Sequence, residues 1–247
     1  MDKNTVLYVI AALLLGFIGG FLLANAMNRS EISAMRSQTV QPVATATNTG
    51  PFSPSDSSDP SLSDDEIKAK LADADRDPKN FKYQKELGTA LYKYASMKDQ
   101  PELLPDVIRL LERADSLNNK DLDVIVALGD AYFDLGFQKK DTGEFQKARE
   151  TYARALAIKP DNVDVETNNA ITWFEQPSPD YQRAAAALDK VTAENPKHTR
   201  SMQFLVQTYI KLGRNADAQN VLDRIKAVDP TDGSIPELTK LLAAQGK

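Results

Sequence analysis

The feature that most constrains this chain is a repeated helical pattern with a period of 41 residues. The small residues Gly88, Gly129 and Ala170 recur at this interval, each within an amphipathic segment. A fourth copy begins at Ser201, and its Val206 follows Ala170 by the shorter interval of 36 residues. Repeats of this length typically encode a helical unit that buries its apolar face only against neighbouring units. The pattern therefore predicts a stacked helical array.

A second amphipathic segment follows each copy. The last three of these segments end at Pro160, Pro196 or Pro230. Proline lacks an amide donor and clashes with the preceding turn, so it closes a helix. Small side chains, such as Gly129 in a first segment and Ala148 in a second, allow paired helices to approach closely. The sequence thus predicts four helical hairpins.

These residues resemble the pattern of the tetratricopeptide repeat family, in which Trp-x2-Leu-Gly-x2-Tyr precedes Ala-x3-Phe and then Ala and Pro. The interval from Pro196 to Pro230 is 34 residues, the usual period of the family. The resemblance implies an all-α, helical-hairpin solenoid over residues 63–247 that binds other proteins. The second copy matches at Leu128, Gly129, Tyr132, Ala148, Tyr152, Ala155 and Pro160.

The ends and turns of the solenoid carry their own signals. Ser63 and Glu66 predict a capping box at its start. The segments Ile67–Pro78 and Ile235–Gln245 are expected to cap the two ends of the stack. The first two hairpins have extra residues between their helices, for example Gly136–Phe145, which we interpret as longer turns.

A long apolar stretch precedes the repeats. Val6–Ala24 contains 19 residues without a charge, enough to cross a hydrocarbon core of about 30 Å as a helix. We expect residues 1–27 to form a transmembrane signal anchor. A cleaved signal peptide is the alternative, because Ala24-Asn25-Ala26 is a small-x-small site. Residues 28–62 are rich in Ser, Thr and Pro and predict a disordered linker.

Small residues recur every four positions along one face of this predicted span. Such a face allows two spans to pack closely and indicates a homodimer, although Gly and Ala are also common in spans generally. The uncharged stretch between Arg36 and Asp56 favours translocation of the repeats. We expect a single-pass inner-membrane protein with a periplasmic repeat domain. The small residues are Ala12, Gly16, Gly20 and Ala24.

The candidate partner-binding surface is the face of each first helix opposite its packing residues, which lines the concave groove in tetratricopeptide proteins. Tyr92, Phe133 and Phe174 recur every 41 residues on this face, which predicts an exposed apolar row for a peptide or helix. Its charge alternates in sign between copies, favouring a ligand with complementary charge blocks. The candidate contacts are Lys82, Lys85, Tyr92, Lys93, Asp123, Val126, Asp130, Phe133, Asp134, Asp164, Ile171, Phe174, Glu175, Arg200, Gln203, Ile210 and Lys211. Trp173 takes the Tyr position of its copy and is expected in the core.

Composition argues against other classes of function. The net charge is −5, and no basic stripe suits nucleic acid. Cysteine is absent and His198 is the single histidine, so we expect no transition-metal site or cofactor. His198 itself is expected at a surface turn. The sequence lacks phosphate-binding, zinc-protease and serine-hydrolase motifs, so we expect no catalysis.

The sequence therefore predicts a membrane-tethered scaffold or assembly factor that binds a peptide or helical segment of another protein. One alternative is a structural homo-oligomer built through the small-residue face. Another follows from an architectural similarity to bacterial membrane-bound tetratricopeptide proteins, including the periplasmic domains that hold apocytochrome during cytochrome c maturation.

Overall fold

The structure is a computed structural model that describes residues 63–246. The predicted span Val6–Ala24, its small-residue face and the predicted linker 28–62 lie outside the described residues. Within residues 63–246, none of the helices combines the length and apolarity needed to cross a bilayer.

Ten α-helices make up most of this part of the chain. Short 3-10 segments at Pro101–Leu103 and Ala244–Gly246 accompany them, and residues 63–246 contain no strand. The expected all-α class is confirmed for these residues. The helices are α1 (Asp64–Arg76), α2 (Phe81–Lys98), α3 (Leu104–Leu117), α4 (Leu122–Lys139), α5 (Thr142–Ile158), α6 (Val163–Glu175), α7 (Tyr181–Glu194), α8 (Thr199–Lys211), α9 (Asn215–Val228) and α10 (Ile235–Ala243).

Successive helices pair as four antiparallel hairpins, which we number 1 to 4. They are α2/α3, α4/α5, α6/α7 and α8/α9, and the second helix of each contacts the first helix of the next. Helix α1 packs at one end of the stack and α10 at the other. Each hairpin buries its apolar faces against its neighbours, as a helical solenoid requires.

Local sequence signals start and stop these helices as expected. Ser63 and Glu66 form the predicted reciprocal capping box of α1. Asp121 and Asp141 accept hydrogen bonds from backbone amides at the starts of α4 and α5. Helix α5 ends two residues before Pro160, and α7 and α9 end at the same distance from their prolines. The predicted proline stops are confirmed.

Close helix approach depends on small residues, as the repeat pattern predicted. A Cβ atom on Gly129 would lie 2.7 Å from the ring of Tyr152 on the paired helix. The aromatic ring is fully buried, so it could not move aside without disturbing the hairpin. Glycine at this position lets α4 and α5 pack together.

The expectation of long turns in hairpins 1 and 2 is wrong. Helices α2 and α4 each contain 18 residues, whereas α6 and α8 each contain 13. Helix α4 continues past Gly136 to Lys139, and only two residues separate it from α5. The left-handed conformation of Lys140, with φ of 51°, ends α4. The extra residues therefore lengthen the helices instead of the turn.

Candidate functional site

The first helices form a continuous inner layer. Helices α2, α4, α6 and α8 contact one another in order, whereas the second helices contact one another less. The inner layer is thus the closer-spaced side of the stack and carries all the candidate contacts. Four of these residues are exposed: Lys82, Lys93, Asp123 and Lys211. Eight are half-buried: Lys85, Val126, Asp130, Asp134, Asp164, Glu175, Arg200 and Gln203.

The expected row of exposed apolar side chains is wrong. Tyr92, Phe133 and Phe174 are each no more than 6 % exposed, and Ile171 and Ile210 are also buried. The rings make edge contacts within the stack: Phe133 lies 5.5 Å from the Phe145 ring, centroid to centroid, and Phe174 packs similarly on Tyr181 and Phe204. These side chains hold neighbouring helices together, and the contact between Phe174 and Phe204 joins hairpin 3 to hairpin 4.

Several charges of the inner layer are paired between hairpins. Lys85 Nζ lies 2.8 Å from Asp121 Oδ1 and 3.1 Å from Asp123 Oδ2. Burial alone would lower the pKa of Lys85, but its hydrogen bonds with the two carboxylates outweigh that effect and raise it. The alternating charges seen in the sequence therefore serve partly to join hairpin 1 to hairpin 2.

Asp130 joins three helices through one carboxylate oxygen. Its Oδ1 accepts hydrogen bonds from the Tyr152 hydroxyl at 2.8 Å and from the Asn168 amide at 2.9 Å. Burial is the main cause that raises the pKa of Tyr152 well above its ordinary value, and the Asp130 charge adds to it. The sequence placed Asp130 on a binding face, but its bonds show a structural role at the junction of α4, α5 and α6.

His198 occupies the junction between hairpins 3 and 4. It is the N-cap residue of α8, and its Nε2 lies 3.2 Å from Asp164 Oδ1. The hydrogen bond from His198 is the main cause that lowers the pKa of Asp164. The expected turn position is confirmed, although the ring is half-buried. Across residues 63–246, no group of three or more His, Asp or Glu side chains is arranged to hold a metal ion.

The first helices of hairpins 2, 3 and 4 each carry an aromatic residue on the outer side that packs towards the preceding hairpin, whereas hairpin 1 has Leu91 at this position. Tyr132 donates a hydrogen bond to Glu112 at 2.5 Å, and Tyr209 donates one to Asp189 at 2.5 Å. In both pairs the acceptor lies 20 residues before the tyrosine. Burial followed by the Asp189 hydrogen bond raises the pKa of Tyr209 to about 12. These tyrosine–carboxylate pairs join α4 to α3 and α8 to α7.

Hairpin 3 departs from this arrangement. Trp173 takes the aromatic position, and the residue 20 positions earlier is Ala153. Two guanidinium groups lie over the indole, Arg149 Cζ at 3.9 Å and Arg183 Cζ at 4.7 Å from the ring centroid. Trp173 is only half-buried, so its expected place in the core is wrong. The missing tyrosine–carboxylate pair leaves this ring at the surface.

A cleft of about 660 Å³ opens beside Trp173. Its walls come from the start of α5, the segment between α6 and α7, the first turn of α7 and Leu212 after α8. Arg149, Trp173 and Arg183 all line it. None of the three was a candidate binding residue from the sequence. The available signal was that Trp173 follows Tyr132 by 41 residues but has Ala153, and not a carboxylate, 20 residues before it.

The comparisons with known proteins agree with this arrangement of hairpins. Profiles described as tetratricopeptide repeat match residues 129–162 and residues 179–244. The chain carries tetratricopeptide repeats. The matched segments cover most of hairpin 2 and the helices from α7 to α10. No curated protein sequence matches the chain.

Solved structures share the tetratricopeptide-repeat fold. The crystal structure of the MamA protein gives a TM-score of 0.51 at 19 % identity, over 68 % of this chain and 84 % of that one. TTC0263, a thermophilic TPR protein from Thermus thermophilus, also gives 0.51, at 15 % identity over 74 % and 89 % of the two chains. At these identities the similarity establishes the fold alone.

Within the tetratricopeptide repeats, the two sides of the stack therefore differ in chemistry. The inner layer combines buried rings with exposed and paired charges. The outer side joins hairpins through tyrosine–carboxylate pairs, except at Trp173. Repeats of this kind are protein-interaction scaffolds.

Proposed function

We propose that this chain is a membrane-tethered scaffold that holds a peptide or helical segment of another protein on the inner layer of its tetratricopeptide repeats. The observation that carries the proposal is the unbroken side-by-side arrangement of α2, α4, α6 and α8. A continuous layer of helices offers an extended surface, which repeat proteins use to bind extended partners.

Recognition on this surface rests on its exposed charges instead of an apolar row. Lys93, Asp123 and Lys211 are exposed on first helices of the layer, while the rings between them are buried. Exposed charges contribute more to partner choice and association rate than to affinity. We therefore expect a partner segment with both acidic and basic residues, bound with moderate affinity and weakened by salt.

Membrane tethering rests on the apolar stretch Val6–Ala24, which has the length of a membrane-spanning helix. In this proposal the repeats lie on the periplasmic side of the inner membrane. The anchor is tested by the intact mass of the mature chain. A mass that includes residues 1–26 supports the anchor, whereas an N-terminus at Met27 would show that the segment is cleaved.

The binding proposal is tested by proximity labelling from the full-length chain in its native membrane. Charge reversal at Lys93→Glu and Lys211→Glu should remove the specific partner from the labelled set, because both side chains lie exposed on the inner layer. The matched control carries Lys120→Glu and Lys159→Glu, two exposed positions outside the first helices. Identical labelled sets from wild type, variant and control would contradict binding at the inner layer.

A further inference from the structure

We infer that the cleft beside Trp173 is a second binding site, in which the Arg149 guanidinium, held over the indole ring, binds a carboxylate side chain of a partner polypeptide. This inference rests on the proposed protein-binding function but uses the outer side of the stack. It starts from what the equivalent places in hairpins 2 and 4 contain.

At those equivalent places the chain supplies its own carboxylate. Glu112 reaches Tyr132, and Asp189 reaches Tyr209, each from the preceding second helix. Each aromatic ring also has a cation over it, Lys147 Nζ at 5.3 Å from the Tyr132 ring and Arg214 Cζ at 4.1 Å from the Tyr209 ring. These two cations are themselves paired, Lys147 with Glu144 and Arg214 with Asp217. Each tyrosine is thus accompanied by an ion-paired cation and by a carboxylate from the preceding second helix.

At Trp173 the chain supplies two cations and omits that anion. Ala153 stands at the position of Glu112 and Asp189, and Arg149, one helical turn earlier on α5, lies over the ring. Asp180 partly neutralises Arg183, with 3.3 Å between Oδ2 and Nε. A carboxylate from outside would complete the arrangement that the neighbouring hairpins complete internally. This precedent is the reason for choosing a carboxylate over other anions.

Arg149 has the properties of a binding group. Within residues 63–246 it forms no ion pair, and its Nη1 makes only long contacts of 3.4 Å to Thr172 Oγ1 and Gln176 Oε1. The nearby carboxylate of Glu150 instead accepts a hydrogen bond from Gln146. Burial, and then repulsion from Arg183, lower the pKa of Arg149. A guanidinium held over an indole and lacking a carboxylate is suited to bind one in a bidentate manner.

The cleft exists because the hairpins change length at this point. Helix α4 of hairpin 2 is five residues longer than α6 of hairpin 3, so α5 begins beyond the turn of hairpin 3. Thr142 at the start of α5 and Ser178 in the segment between α6 and α7 both line the cleft. A volume of about 660 Å³ accommodates one side chain and part of its backbone.

Trp173 is the single tryptophan of the chain, so intrinsic fluorescence of the full-length protein in detergent reports on this cleft directly. The probes are a tri-glutamate peptide blocked at both ends, the matching tri-glutamine peptide and inorganic phosphate. We expect a saturable change in emission with tri-glutamate and none with tri-glutamine. Binding of phosphate more tightly than tri-glutamate would overturn the assignment to a carboxylate.

Variants locate the site. Arg149→Gln should weaken tri-glutamate binding by about tenfold or more, since it removes a charge-assisted bidentate contact. Arg76→Gln, which removes an equal charge at an exposed position away from the cleft, should leave binding unchanged. Equal affinity in wild type and Arg149→Gln, or no saturable response in wild type, would overturn the proposal.

A variant that fills the site with a carboxylate of its own provides a second test, which leaves both arginines in place. Ala153→Glu restores the carboxylate found in hairpins 2 and 4, one helical turn from Arg149, where the two can pair. It should abolish the tri-glutamate response, whereas the isosteric Ala153→Gln should retain it. Retention in both would overturn the proposal. Neither Lys93 nor Lys211 lines the cleft, so the outcome is separable from that of the inner-layer test.

Discussion

Two successive junctions of the inner layer differ by one hydroxyl group on the aromatic ring and one methylene group on the acidic side chain. Between hairpins 1 and 2, the Tyr92 hydroxyl donates a hydrogen bond to Asp134 at 2.7 Å. One repeat later, Phe133 takes the position of Tyr92 and Glu175 that of Asp134. No residue of the described region donates a hydrogen bond to the Glu175 carboxylate. Burial raises the pKa of Glu175 to about 7, although the Lys211 charge partly opposes this.

The repeat pattern determines where an acidic side chain occurs in each junction, but it does not determine which groups surround that side chain. Whether the carboxylate is stabilised depends on the residue contributed by the preceding copy. In the first junction the acid accepts a hydrogen bond from a phenol, whereas the second junction has a phenylalanine at the equivalent position and so contains no such donor. Substitutions at these four positions convert one junction into the other or disrupt it.

The largest effect is expected from Phe133→Asp. Phe133 is 6 % exposed and packs edge-on against Phe145. A carboxylate here would be buried without a donor in place of an aromatic ring, so the free energy of unfolding should fall by about 4 kcal/mol. Urea unfolding monitored by circular dichroism measures this loss. Phe133→Leu is the control and should cost less than half as much; equal stability of Phe133→Asp and wild type would show that the ring is not buried.

Glu175→Gln should change how stability depends on pH. The folded-state pKa of about 7 lies above the ordinary value of 4.5, so the folded state binds an extra proton between these values. The stabilising contribution of the protonated Glu175 side chain is fully present below pH 4.5 and is lost as the pH rises through 7. The glutamine variant lacks this loss and should be more stable than wild type at pH 8 by about 2 kcal/mol.

Thermal unfolding at about pH 4.5, 6 and 8 tests this expectation. The exposed Glu150→Gln provides a matched removal of one carboxylate. A Glu175→Gln protein whose stability follows pH as steeply as wild type would show that another group titrates.

Tyr92→Phe should make the first junction resemble the second. The variant removes the hydroxyl that donates to Asp134, and loss of a hydrogen bond to a charged group costs about 1.5 kcal/mol. A double-mutant cycle with Asp134→Asn isolates the contribution of this pair. A coupling energy near zero would mean that the phenol contributes only its ring.

Phe133→Tyr should make the second junction resemble the first, with the smallest effect. A new hydroxyl at the position equivalent to Tyr92 can donate to Glu175, which should stabilise the ionised form by about 1 kcal/mol at pH 8. Carbon-13 NMR of the Glu175 carboxyl group measures the accompanying decrease in its pKa. An unchanged titration would show that the two junctions differ in backbone geometry as well as in the hydroxyl.

The order and ends of the helices in the described region were predictable because their signals are local. Pro160 stops α5 and Asp121 caps α4 through contacts within a few residues. The burial of Phe133 was not predictable in this way. A repeat pattern defines which helix face a residue occupies but not how closely the neighbouring helices pack against that face. The longer helices were missed because Gly136 suggested a helix end, whereas it allows contact with Phe145.

The outer cleft required a comparison between copies. Trp173 matches the tyrosine position, which predicted a core residue. Its environment depends on Ala153, 20 residues earlier, where hairpins 2 and 4 have a carboxylate. No single repeat contains that information, because the two positions belong to different hairpins. Aligning residues across hairpin boundaries, and not only within each repeat, would have identified it.

The change in first-helix length gives the array a direction. With five fewer residues each, the first helices of the last two hairpins are about 7.5 Å shorter than those of the first two. One edge of the stack therefore has a ledge at its middle, and the four hairpins are not interchangeable. The ledge distinguishes the two directions along the stack, so an extended molecule laid along that edge would meet a different surface in each of its two orientations.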